Sequence, residues 1–198
     1  SFTACDAEPT CTQPKNPARL VRGAIGCTLI LPLRVRLPAQ FDVASAPPQE
    51  NDRLVFALGS HRGELVAPDD VKVGALQVFA YPMDPQSETV RDGTRLNQVI
   101  LVRLDPADLD EETATHAADG IVAFSGVCSH TGCDVSDWFN DTQTLFCPCH
   151  ESEFDPTRSA EVTAGPAPRR LAALPLKIVN GTLLAAGSFI GRVGAAGQ

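Results

Sequence analysis

Two short segments constrain this chain more than any other feature. They are Cys128-Ser129-His130-Thr131-Gly132-Cys133 and Cys147-Pro148-Cys149-His150. Together they read C-x-H, sixteen intervening residues, then C-x-x-H. Each spacing suits a tight loop that presents one thiolate and one imidazole to a metal centre. Two such loops facing each other supply two sulfurs and two nitrogens. A tetrahedral zinc site would accept that set. So would a 2Fe-2S cluster with Cys on one iron and His on the other. Each loop also carries a spare cysteine beside these residues, Cys133 in the first and Cys149 in the second. A zinc site has no use for them. A disulfide between them would staple the two loops together.

At these residues the chain resembles the Rieske iron-sulfur proteins, of the kind found in cytochrome bc complexes and in arsenite oxidase small subunits. The family pattern is C-x-H-x-G-C followed by C-x-C-H-x-S, and it stands here as CSHTGC and CPCHES. The resemblance implies a Rieske-type 2Fe-2S cluster as cofactor. Cys128 and Cys147 would hold one iron, His130 and His150 the other, and Cys133 and Cys149 would form a disulfide. It extends to Gly165-Pro166-Ala167-Pro168, which matches the proline loop that covers the cluster in these proteins. In all it covers residues 70–190.

The spare-cysteine pair is absent from the Rieske domains of cytosolic ring-hydroxylating oxygenases. A disulfide fits an oxidising compartment. The expectation is an exported protein, periplasmic or on the outer face of an energy-transducing membrane. It would be an electron carrier rather than a catalyst by itself. The first functional reading is the redox subunit of a quinol–cytochrome c oxidoreductase-type respiratory complex. The second is the small Rieske subunit of a periplasmic molybdenum oxidase of the arsenite-oxidase type. The expected partners are other subunits of a redox complex, a cytochrome c-type acceptor and, in the first reading, quinol. A structural zinc protein is the reading from outside this class.

Two departures bear on potential, which is set by hydrogen bonds to the sulfurs, local charge and burial. In high-potential relatives the second motif runs on as H-G-S-x-Y, where the Ser hydroxyl bonds a bridging sulfide and the Tyr hydroxyl bonds a ligand sulfur. Here it is His150-Glu151-Ser152-Glu153-Phe154. Ser152 is retained as a cofactor-binding residue, but Phe154 has no hydroxyl, and Glu151 and Glu153 place negative charge near the cluster. Both changes disfavour the reduced, more negative state. The expected midpoint lies in the middle of the family range of roughly −150 to +300 mV. Thr131 replaces a bulky Leu of many quinol-oxidising relatives, which leaves room for a protein partner at the tip. The outer nitrogens of His130 and His150 are expected to face solvent or partner and to pass the electrons.

The rest of the chain reads as an all-β protein. The expected architecture is a Rieske fold, an antiparallel β-sandwich base with a small cluster-binding subdomain. Sixteen Pro and fifteen Gly among 198 residues favour turns over long helices. Strands are expected at 54–58, at 73–81 with Pro82 as its limit, at 97–104 and at 121–127, which leads into Cys128. Asp105 followed by Pro106 opens a short acidic helix. Asn180-Gly181 between two apolar runs marks a two-residue hairpin. The Asn180-Gly181-Thr182 and Asn140-Asp141-Thr142 triplets fit the glycosylation pattern, and the turn reading is preferred for both. Residues 1–55 are read as an N-terminal annex with a linker and 56–198 as the Rieske domain, with the cluster-binding subdomain at 125–168.

A formal net charge of −8 makes nucleic acid an unsuitable partner, since phosphate binding needs a basic face. No stretch reaches the roughly 18 apolar residues of a membrane-spanning helix, and Gly23–Leu33 is read as a buried strand. Cys5 and Cys11 are read as a disulfide with Cys27 free. His61 and His116 are read as surface or loop residues and Trp138 as core.

Overall fold

The computed structural model describes residues 42–197. Cys5, Cys11, Cys27 and the 23–33 segment lie outside them. The described chain is almost entirely antiparallel sheet. One sheet has six strands: β1 (Arg53–Phe56), β2 (Val78–Met83), β3 (Val99–Arg103), β4 (Ile121–Ser125), β9 (Leu176–Val179) and β10 (Thr182–Ala185), in the order β4-β3-β2-β1-β10-β9. The second has four: β5 (Asp137–Phe139), β6 (Thr144–Cys147), β7 (Ser152–Asp155) and β8 (Glu161–Ala164), in that order. No helix among the described residues is long and apolar enough to cross a membrane.

The period-two rule of strands explains how the sheets share a core. Along β3, Ile100 and Val102 face one way while Val99 and Leu101 face the other, all four buried. β4 repeats this with Val122 and Phe124 against Ile121 and Ala123. The first face packs on Val135, Trp138, Leu145 and Phe154 from the smaller sheet. The second packs on Leu54, Leu174 and Leu183. Trp138 is thus core, as expected, and the smaller sheet shares its core with the larger.

Several local readings change. Pro82 does not limit β2 but lies within it, opposite Leu54 of β1. Proline lacks the N–H a central strand uses on both edges. β2 pairs with β3 only over Val78–Ala80, so Pro82 lies past that ladder, and its carbonyl accepts from Arg91 N at 2.8 Å. Residues 73–77 form no strand. The acidic segment is broken in two. Asp105 caps a single 3-10 turn by accepting from Ala107 N at 2.9 Å, and Asp110 caps α1 (Glu111–His116) by accepting from Thr113 N at 2.7 Å. Each acid captures its own backbone N–H, which favours two short pieces over one helix. The Asn180-Gly181 turn is as expected: both residues have positive φ, and Val179 pairs with Thr182.

The first strand begins at Arg53, and the residues before it are tied to the sheet. Asp52, 1% exposed, accepts from Arg91 Nε at 2.6 Å and from its terminal nitrogen at 3.0 Å. Asn97 donates to Ala46 O at 2.8 Å.

Candidate metal centre

Three loops at one end of the smaller sheet build the site. The first leaves the buried strand β4 through Gly126. Cys128 N donates to Cys133 O at 2.8 Å and Gly132 N to Cys128 O at 3.1 Å, so residues 128–133 close on themselves. Gly132 supplies the positive φ that this closure needs. The second loop is the β6–β7 hairpin. Cys147 ends β6, Ser152 opens β7, and the two are paired in register. Residues 148–151 between them project His150 outward. The third is the 165–168 loop. Ser152 Oγ accepts from Ala167 N at 3.2 Å, and Ser129 Oγ donates to Arg169 O at 2.6 Å. Ser152 therefore ties this loop to the second, and Ser129 ties Arg169, the residue that follows it, to the first.

The expected Cys133–Cys149 disulfide is present, with Cα atoms 6.4 Å apart. It joins the first loop to the second. Cys128 and Cys147 are free thiols, each 1% exposed, and they contact one another. His130 and His150 pack edge to face with ring centroids 4.6 Å apart. The half-buried His130 has its Nδ1 buried without a hydrogen-bond partner among the described residues, while His150 is exposed. The same two loops thus carry a buried sulfur pair and a more exposed imidazole pair. Among the described residues, no group of three or more His, Cys, Asp or Glu is arranged to hold a single ion.

This arrangement fits a two-iron cluster. Two buried sulfurs and two imidazoles form a split donor set, and a buried ring nitrogen with no hydrogen-bond partner among the described residues suits metal ligation. Burial pushes the Cys147 thiol up to about 11; the N–H of Cys149 opposes this and the neighbouring Cys128 adds to it. A metal must therefore displace a firmly held proton to bind there.

The remaining expectations fall around this core. Phe154 is fully buried in the shared core, opposite Leu145. Thr131 and Glu151 are exposed at the tip, and Glu153 is half-buried. His61 pairs with Glu64 at 2.9 Å, well away in sequence and on an exposed turn. Two contributors have no motif to reveal them. Ser129 occupies the unspecified position of C-x-H. Arg95 reaches from far upstream to donate to Gly132 O at 2.6 Å and to Asp134 Oδ1 at 2.5 Å, bracing the first loop.

Comparison with known proteins bears on this site directly. The model of the Rieske [2Fe-2S] domain matches residues 85–175. A cytochrome bc1 complex Rieske iron-sulfur subunit of Streptomyces lividans is 35% identical over 137 residues, covering 67% of this chain and 80% of that protein. The subunit of the same name from Mycobacterium tuberculosis strain H37Rv is 34% identical over 145 residues, covering 65% of this chain and 34% of that protein. The chain thus spans about a third of the length of the mycobacterial relatives. Among solved structures, the soluble domain of the Rieske protein II from Sulfolobus acidocaldarius aligns with a TM-score of 0.40 at 24% identity. That alignment covers 50% of this chain and 66% of the other.

Proposed function

Because this chain belongs to the Rieske [2Fe-2S] family, we propose that it is an electron carrier whose cluster is held by Cys128 and Cys147 on one iron and His130 and His150 on the other. The observation that carries the assignment is a buried thiol pair and an imidazole pair contributed by the same two loops, with His130 Nδ1 unpartnered among the described residues. When bound, the cluster supplies reversible one-electron chemistry.

The protein's own residues do the rest. The disulfide joins the first loop to the second, and Arg95 braces the first. The 165–168 loop is tied to the second loop through Ala167 N and Ser152 Oγ. Ser152 Oγ already accepts from Ala167 N, which leaves its proton free to donate inward. The exposed His150 offers the shortest route to a partner.

The carrier works as the redox subunit of a quinol–cytochrome c oxidoreductase-type complex, on the periplasmic or outer face of the membrane. The relatives named as bc1 Rieske subunits support this reading. Its partners are the other subunits, a cytochrome c-type acceptor and quinol. The exposed small Thr131 at the tip favours a second reading, a Rieske subunit of a periplasmic molybdenum oxidase with a protein donor.

A low-temperature electron paramagnetic resonance redox titration tests both levels. The expected result is a rhombic signal with average g below the free-electron value. Cys147→Ser and His130→Gln should abolish it, and His61→Gln should leave it intact. Stoichiometric zinc without a signal, or full iron retained in both site variants, would overturn the assignment. A midpoint near the top of the family range of roughly −150 to +300 mV favours quinol, and one near the middle favours the protein donor.

A further inference from the structure

A second cavity lies between α1, the stretch Arg169–Ala173 and residues 190–192, and the centre above makes no use of it. Its volume is about 130 Å³. That is room for an ion of roughly five heavy atoms with water beside it. Its floor is fixed by paired backbone bonds, Ala173 N to Ile190 O at 3.0 Å and Ile190 N to Ala173 O at 2.7 Å.

The lining is strongly cationic. Arg169, Arg170 and Arg192 contribute the charge, against the single acid Glu112, and His116 lines the cavity beside them. Glu112 accepts from Arg170 at 2.8 Å and so neutralises one guanidinium. Arg169 donates from a terminal nitrogen to Gly194 O, while its Nε is buried with no partner among the described residues. Arg192 and His116 have no hydrogen-bond or ion-pair partner among the described residues. A buried guanidinium N–H without an acceptor is costly. Such a local excess of positive charge stands out on a chain of net charge −8.

We propose that this cavity binds a phosphate group. Its donors come from three separate segments and converge from different directions. A tetrahedral dianion offers an oxygen to each of them, whereas a carboxylate offers two oxygens in one plane. Guanidinium groups match phosphate geometry and favour it by charge. The phosphate group is that of free phosphate or of a phosphomonoester lipid headgroup.

The site also touches the centre indirectly. The carbonyl of Arg169 holds Ser129 Oγ at 2.6 Å, and Ser129 lies between Cys128 and His130. An occupied site braces that end of the 165–168 loop.

Calorimetric titration of the full-length holoprotein with inorganic phosphate in low-salt buffer tests the proposal. Saturable binding is expected. Arg192→Ala should weaken it by about tenfold, the loss of one charge-assisted hydrogen bond. Arg192 makes no hydrogen bond or ion pair among the described residues, so the unfolding midpoint without phosphate should not move. Arg170→Ala is the second variant and should also weaken binding. Co-sedimentation with phosphatidylcholine vesicles, with and without phosphatidic acid, identifies the source. Arg192-dependent capture by the acidic vesicles names a lipid headgroup; binding of free phosphate without vesicle capture names the free ion. No saturable binding in either arm, or binding equal in wild type and both variants, would overturn the proposal.

Discussion

Replacing Gly165 with alanine tests how the 165–168 loop is held over the centre. Gly165 has φ +82°, and a Cβ there would run into the carbonyl oxygen of Glu151 and approach Ser152 Cα at 2.5 Å. Both obstacles are backbone, so no side-chain rotation relieves them. The left-handed conformation alone disfavours alanine by about 1–2 kcal/mol. Pushing the loop off the β6–β7 hairpin adds about 1–3 kcal/mol of overpacking strain. Losing the Ala167 N to Ser152 Oγ bond removes about 1 kcal/mol more. The expected total is about 3–6 kcal/mol. Gly181 is the internal control. It has φ +77° but nothing within 4 Å of a built Cβ. Gly181→Ala should therefore lose only the backbone part, about 1–2 kcal/mol. Guanidinium unfolding followed by fluorescence of the single tryptophan, Trp138, reads both variants on one scale. Gly165→Ala should also bleach the visible absorption of the centre faster. Equal destabilisation of the two variants would refute the argument that backbone contact holds this loop down.

Three further outcomes follow from the geometry. Replacing Cys133 and Cys149 together by serine opens a cross-link spanning 16 residues and should lower stability by about 3 kcal/mol in denaturant titrations. Asp52→Ala leaves the buried Arg91 guanidinium, held above its ordinary value mainly by its hydrogen bond to Asp52, without its partner; chemical unfolding should show a loss of about 3–5 kcal/mol. Removing the cluster frees Cys147, whose burial-raised value of about 11 keeps it protonated at neutral pH. Its alkylation by iodoacetamide, mapped by mass spectrometry, should therefore be slow at pH 7 and climb as pH rises toward about 11. A rate already at its plateau by pH 9 would contradict that burial effect.

Much of the site could be read before the fold because its pieces are local. C-x-H and C-x-C-H each place their side chains within one tight loop, so spacing alone brings each Cys near its His. The Asn180-Gly181 hairpin was readable for the same reason, since positive φ at two adjacent residues is a property of those residues. The apolar run within 97–104 located β3, both of whose faces are buried.

What could not be read depends on partners distant in sequence. Arg95 and Ser129 brace the loops through contacts 37 and 40 residues away, and neither belongs to a motif. Pro82 looked like a strand limit because proline breaks central ladders. Only the shortness of the β2–β3 pairing shows that the ladder ends before it. The tie between Asp52 and Arg91 likewise spans 39 residues and anchors the chain ahead of β1.

By itself, then, the sequence determined the all-β character and carried the two short motifs whose family resemblance implies the donor set and the disulfide pair, of which the fold shows the disulfide. The tertiary structure decided how the two loops face each other, which imidazole reaches solvent, and how the third loop closes over them. It also gathered three arginines and a histidine around one cavity on an acidic chain. These follow from packing between segments far apart in the chain, whose relative placement no local pattern encodes.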